Sequence, residues 1–215
     1  MTRQEDKMIT IALPAVDWVL EGIFIRGQGP DCGGAVLAPP HPLYGGSMDS
    51  PVVTELTWAC KRAGYATARF NWRGVGASGG APSGDAGDAD ADYQASVDYL
   101  AETVEGPLIA AGYSFGAATA VRVAARNPRV RKLLLVAPPP AMLDVEALAS
   151  FRGPALAIVG SEDAFAPLPE VEAHFGDEAH RRLSVVPGAD HFFGEGLARI
   201  SRDALAWLGG EPDSD

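Results

Sequence analysis

Residues 112–116, Gly112-Tyr113-Ser114-Phe115-Gly116, stand between a short apolar stretch at 107–111 and an alanine-rich run at 117–125. The first reads as a buried strand. The second reads as a helix, because alanine loses no side-chain entropy on becoming helical. A strand that turns straight into a helix forces its middle residue into a strained backbone conformation and pushes that side chain out at the apex. Glycines two residues before and two after suit this turn, where neighbouring backbones crowd together. The spacing is the G-x-S-x-G pattern, in which the exposed serine is a nucleophile. Three fixed residues are a weak signal alone, and the flanking strand and helix are what single out Ser114. The bland alternative is a small-residue turn with a buried hydroxyl.

A serine hydroxyl attacks poorly until a base takes its proton, and the base needs a carboxylate to fix its tautomer and stabilise its charged form. On this architecture the chain order is Ser, then Asp or Glu, then His, each just after a strand. Three histidines follow Ser114. His174 and His180 lie in the polar stretch 170–182, which reads as surface helix and loop. His191 instead follows a strand at 183–186 through Pro187-Gly188-Ala189-Asp190, and it is the expected base. Phe192 and Phe193 are expected to pack one side of its ring. The acid belongs after the strand at 155–159, which leads into Gly160-Ser161-Glu162-Asp163. Asp163 is the expected orienting acid, Glu162 its rival is expected to face solvent, and Asp190 reads as a turn residue.

Acyl transfer also needs two backbone donors for the developing oxyanion. The residue after the nucleophile, Phe115, supplies one. The other is expected from the loop after the third strand, His41-Pro42-Leu43-Tyr44-Gly45-Gly46. Pro42 has no N–H, so Leu43 is the candidate and Tyr44 the fallback. His41 reads as a loop-bracing residue rather than a catalytic one. Apolar walls for an acyl group are available from Leu43, Tyr44, Phe115, Pro139, Phe165 and Phe192.

Along the chain, strands are expected at 8–13 and 18–26 as a hairpin-like pair, then at 33–38, closed by Pro39 and Pro40, and at 65–70. A helix at 51–63 starts on a proline and stops at Gly64. Residues 73 to about 91 read as a glycine-rich acidic loop with room for a helix start, and 92–104 as a helix. Later strands are expected at 130–136, 155–159 and 183–186, with a closing helix at 197–208. Strands alternating with helices imply an α/β protein with a mostly parallel sheet and helices on both faces. About 18 residues separate the strands ending near Val136 and starting near Ala155. Many chains with this elbow place a helical cap there, and this one has no room for a substantial one.

With 215 residues the chain suits one domain, expected over 1–210, followed by a disordered acidic tail at 211–215. A net charge of −11 repels phosphate backbones and anionic membranes, so neither nucleic acid nor membrane is an expected partner. Oligomeric state is left open. Two cysteines, Cys32 and Cys60, make no disulfide framework and read as buried thiols. The charged start, without an apolar signal core, points to a cytoplasmic protein. The run Asp85, Asp88, Asp90, Asp92 lacks the pattern and trailing Glu of a calcium loop and reads as solvated. No metal or other cofactor is expected.

Five segments in order, His41-Pro-Leu-Tyr-Gly-Gly-Ser-Met48, Arg69-Phe-Asn-Trp-Arg-Gly-Val-Gly-Ala-Ser78, the elbow, Ala137-Pro-Pro139 and Asp190-His-Phe-Phe193, resemble the α/β-hydrolase superfamily. More narrowly they resemble its small, capless bacterial serine hydrolases, which are similar to dienelactone hydrolases in size. The resemblance spans nearly the whole chain. It implies an α/β-hydrolase fold with an eight-stranded sheet and no cap domain, and a triad of Ser114, Asp163 and His191. Dienelactone hydrolases carry cysteine where this chain has Ser114, so their lactone substrate is not implied. The loop at 70–76 is expected to brace the oxyanion loop rather than bind a substrate carboxylate through Arg73. The leading expectation is hydrolysis of a small carboxylic ester, thioester or lactone through an acyl-enzyme. Acyl transfer to another alcohol would use the same triad, and a silent binding protein would usually have lost a triad member.

Overall fold

The protein is described from a computed structural model over residues 6–28, 32–175 and 179–209. The acidic tail expected at 211–215 lies outside the described residues. Eight strands form one sheet: β1 Lys7–Ala12, β2 Val19–Ile25, β3 Gly34–Ala38, β4 Ala66–Phe70, β5 Leu108–Tyr113, β6 Val130–Val136, β7 Ala155–Gly160 and β8 Arg181–Val186. Their order is β1-β2-β4-β3-β5-β6-β7-β8. The β1–β2 and β2–β4 pairings are antiparallel and all the others parallel. Every residue of β3, β5 and β7 is buried, as a strand covered on both faces must be, which is why they read as unbroken apolar runs. β1 alternates exposed and buried from Thr10 back to Met8, the signature of an edge strand with one face on the core.

Among the described residues, six helices cover the sheet: α1 Pro51–Arg62, α2 Ala86–Thr103, α3 Phe115–Arg126, α4 Val145–Ser150, α5 Leu168–Phe175 and α6 Leu197–Leu208. α1 packs on α6, while α3 packs on both α2 and α4, one set for each face of the doubly buried strands. Proline opens α1, Lys61 and Arg62 in its last turn offset the negative end of its dipole, and Gly64, at φ 90°, lets the chain leave. Its apolar side buries Val53, Leu56, Thr57 and Cys60. Burial pushes the Cys60 thiol up to about 12, partly opposed by Lys132, so it stays an inert core group.

Two expectations need correction. α2 begins at Ala86, not at Asp92, because the Asp85 carboxylate accepts from the amides of Gly87 and Asp88 and caps a first turn that contains the poor helix former Gly87. The carboxylates expected to be solvated are used. Arg73 pairs with Asp88 and with Asp92, at 2.7 Å, while stacking on Trp18; Arg122 and Arg126 both hold Asp90. Asp92 is buried, and burial raises its carboxyl pKa against the opposing pull of Arg73. Tertiary ion pairs, invisible to local composition, therefore convert the expected loop into helix. The second correction is smaller. β8 starts at Arg181, two residues early, since its first residues pair with Ala155 and Leu156 of β7.

Strand order reverses between β3 and β5: the chain leaves β3 towards β4 and leaves β5 towards β6. Loops that diverge in this way open a crevice at the carboxyl ends of the strands. The elbow after β5 and the loop after β3 both sit there.

Candidate active site

Ser114 takes φ 55° and ψ −117°, a region L-residues rarely enter. It persists because the surroundings over-determine it. The Ser114 amide donates to Val136 O of β6, and its own carbonyl accepts from Ala117 and Ala118 as α3 begins. A Cβ on Gly112 would stand 2.4 Å from the Gly116 carbonyl group, and one on Gly116 would stand 2.5 Å from Pro39 O. Each glycine is thus required by another backbone rather than by its own torsion angles.

His191 and Asp163 come to this apex on the loops after β8 and β7. Nε2 of His191 lies 2.9 Å from Ser114 Oγ, and Nδ1 lies 2.9 and 2.8 Å from the two Asp163 oxygens. Asp163 is 4% exposed, and its Oδ1 also accepts from the amides of Phe165 and Ala166. A carboxylate so placed only accepts, so Nδ1 carries the ring proton and Nε2 is left to accept from the serine hydroxyl. Glu162, one residue earlier, is exposed. The imidazole is packed by Phe165 at 4.9 Å, Phe192 at 5.6 Å and Tyr113 at 5.6 Å. Phe193, expected beside it, turns inward instead and packs edge-on against Tyr113, because its left-handed backbone (φ 52°) reverses the chain there. His174 and His180 stand on α5 and just before β8, outside this cluster.

The oxyanion candidates divide. Phe115 is the first residue of α3, so its N–H has no intrahelical partner by position. Leu43 and Tyr44 lie in a 3-10 turn, Pro42–Tyr44, after β3. The Leu43 amide donates to His41 Nδ1 at 3.2 Å, and the Tyr44 amide to His41 O at 3.1 Å. His41 is therefore a brace, and its ring packs on Tyr44 and Phe115. Burial lowers its pKa, which keeps Nδ1 an acceptor. A long, exposed N–H···N contact is the easier of the two to exchange for an oxyanion, which keeps Leu43 the better candidate.

The segment after β4 pins this loop at both ends. Trp72 Nε1 donates to the carbonyls of Pro39 and Pro40, and Asn71 Oδ1 accepts from the Met48 amide. Arg73 is spent on Asp88 and Asp92, as a bracing role requires.

Around the apex the surface is open and aromatic: Tyr44 is 87% exposed, Phe192 68% and Phe165 61%. Pro139 is buried and adds little open wall. Between β6 and β7 the chain forms only a 3-10 turn, Pro140–Met142, and the six-residue α4, which packs down on α3. A separate cleft of about 660 Å³, bordered by Arg126, Arg131 and Arg152, lies at the opposite end of the sheet. It contains none of the converging residues. Sequence reasoning missed one member of the cluster: Tyr113, whose phenol donates to His191 O at 2.8 Å. Its place beside Ser114 was the only signal.

The fold has relatives among known proteins. A family described as serine aminopeptidase, S33, matches residues 43–144. An uncharacterized protein of Rickettsia prowazekii (strain Madrid E) is 30% identical over 186 residues, covering 81% of this chain and 77% of that one. The structure of an α/β serine hydrolase homologue from Coxiella burnetii superposes with a TM-score of 0.81 at 30% identity, over 97% of this chain and 99% of that one. A Xanthomonas campestris protein, described as an α/β serine hydrolase without a lid, gives 0.80 at 27% identity over 99% of both chains.

Proposed function

This chain belongs to the α/β-hydrolase superfamily, and from that premise we propose that it is a serine hydrolase that cleaves a small carboxylic ester through an acyl-enzyme. The observation that carries the reading is the strained Ser114, with its Oγ 2.9 Å from an imidazole whose other nitrogen rests on buried Asp163.

In this mechanism Ser114 Oγ bonds to the ester carbonyl carbon as its proton passes to His191 Nε2. The carbonyl oxygen becomes an oxyanion, met by the Phe115 N–H and by the Leu43 N–H once that amide leaves His41. The ester C–O bond then breaks, and His191 returns its proton to the departing alkoxide. A water attacks the acyl-serine, giving its proton to Nε2. Collapse of the second intermediate breaks the Oγ–acyl bond, returns the proton to Oγ and releases the acid. Asp163 holds Nδ1–H throughout and offsets the imidazolium charge. Thioesters and lactones would follow the same steps.

A fluorophosphonate tests the assignment, because only a hydroxyl activated by a base reacts quickly with it. The adduct should map to Ser114 alone and be lost in Ser114→Ala. Mapping elsewhere, or finding no adduct, would refute it. Rates on matched p-nitrophenyl esters, thioesters and an aminoacyl p-nitroanilide then separate ester cleavage from the peptidase activity in the matched family's description.

A further inference from the structure

The Asp163 loop and the His191 loop are bonded to each other. Gly188 N donates to Ser161 Oγ, and Glu162 N donates to Ala189 O. Asp163 and His191 are therefore carried by one coupled unit at the ends of β7 and β8. Ser114 stands on a different element, at the end of β5. Among the described residues, two side-chain hydrogen bonds span the joint between unit and elbow. One is His191 Nε2 to Ser114 Oγ, at 2.9 Å. The other is the Tyr113 phenol, which donates to the main-chain carbonyl of His191 at 2.8 Å.

These contacts differ in lifetime. When Oγ is acylated it loses its proton, so the bond between His191 and Ser114 is gone in the acyl-enzyme. The tyrosine bond involves no reacting atom and survives every step. Tyr113 is buried, with its ring between the imidazole and Phe193. Burial, then the charges of Asp163 and Asp190, push its phenol well above the ordinary range, so it stays a donor.

We propose that Tyr113 is a positioning residue for deacylation: it keeps the histidine loop in register with the elbow while Ser114 is acylated and cannot. This rests on reading Ser114, His191 and Asp163 as acyl-transfer machinery. Before acylation the Ser114–His191 bond itself aligns the loop, so losing the tyrosine should matter little there. After acylation nothing replaces it, and His191 must still aim Nε2 at a water beside the acyl carbon.

Tyr113→Phe keeps the ring and removes the donor. In stopped-flow with p-nitrophenyl acetate, the burst reports acylation and the steady state deacylation. Deacylation should slow by about tenfold or more, within the range that small misplacements cost. The burst rate should change by less than about threefold, so kcat and KM fall together while kcat/KM holds. A merely structural role would lower burst amplitude with unchanged rate constants, and that result overturns the proposal. So does equal slowing of both steps, or no slowing of either. A second variant guards against poor folding of the first: difluorotyrosine at 113 keeps the donor and should deacylate like the parent protein. Slowing equal to that of Tyr113→Phe would overturn the proposal. The parent protein's Ser114 labelling and burst test the underlying reading separately; their absence overturns both.

Discussion

At the scale of single residues, adjacent side chains differ by which way a loop turns them. Glu162 and Asp163 have the same chemistry, yet only Asp163 is buried with three N–H groups on it. Asp163→Asn should cut kcat by at least about a hundredfold more than Glu162→Gln, because an amide in place of the carboxylate favours the wrong imidazole tautomer. Steady-state rates of the two variants decide it, and equal losses would sink the assignment. His41 makes a second test. Neutral His41 accepts the Leu43 N–H; once protonated, Nδ1 becomes a donor and the bond breaks. Its pKa is lowered by burial, so an unfolded chain would take up the proton first as pH falls below about 6.5. The brace's contribution is therefore present above that pH and is lost as pH drops towards the folded value. The Leu43 amide resonance should titrate with a midpoint below that of a free histidine; a resonance that ignores His41, or moves at or above 6.5, contradicts this.

At the scale of elements, α2 shows a helix started by a cap and held by distant cations. Asp85→Ala removes the acceptor for two amides and should cost about 1 kcal/mol of stability, the usual worth of such a cap. Urea unfolding measures it. Turnover should stay within about twofold, because Asp85 touches none of the converging residues and cap loss acts locally. A stability change near zero would mean that the arginine pairs alone hold the first turn. Room for a helix start was legible in sequence but its position was not, since Gly87 and the surrounding aspartates argue for loop until Arg73, Arg122 and Arg126 are in place. The elbow is the opposite case. Its strand, glycines and helix are contiguous, so the pattern is legible locally, while Pro39 and Val136 complete the turn in the fold.

At the scale of the whole molecule, the short β6–β7 connection folds α4 down on α3 and leaves the crevice uncovered. Burial is what rewards acyl length, at about 0.8 kcal/mol per methylene, and an open rim buries little of a long chain. Rates on p-nitrophenyl esters from acetate to palmitate should peak at roughly two to six carbons, where added methylenes stop being buried. No jump should occur above the substrate's solubility limit. A maximum at twelve carbons or more would show a deep acyl tunnel built by another segment.

The alternation of apolar runs with helical stretches, the elbow and the order Ser114, Asp163, His191 are local or serial properties, and the sequence alone determines them. Excluding a cap needed only the length of one connection. Which strands are neighbours was decided by packing, and with it the crevice between the loops after β3 and β5. So was the commitment of the Leu43 amide to His41, because an amide's partner depends on where a side chain two residues away can turn. Arg73 and Asp92 meet across 19 positions, and Tyr113 and His191 across 78. No periodicity links such residues; only the fold, which packs α2 against β4 and lines up β5, β6, β7 and β8 in one sheet, brings them within reach.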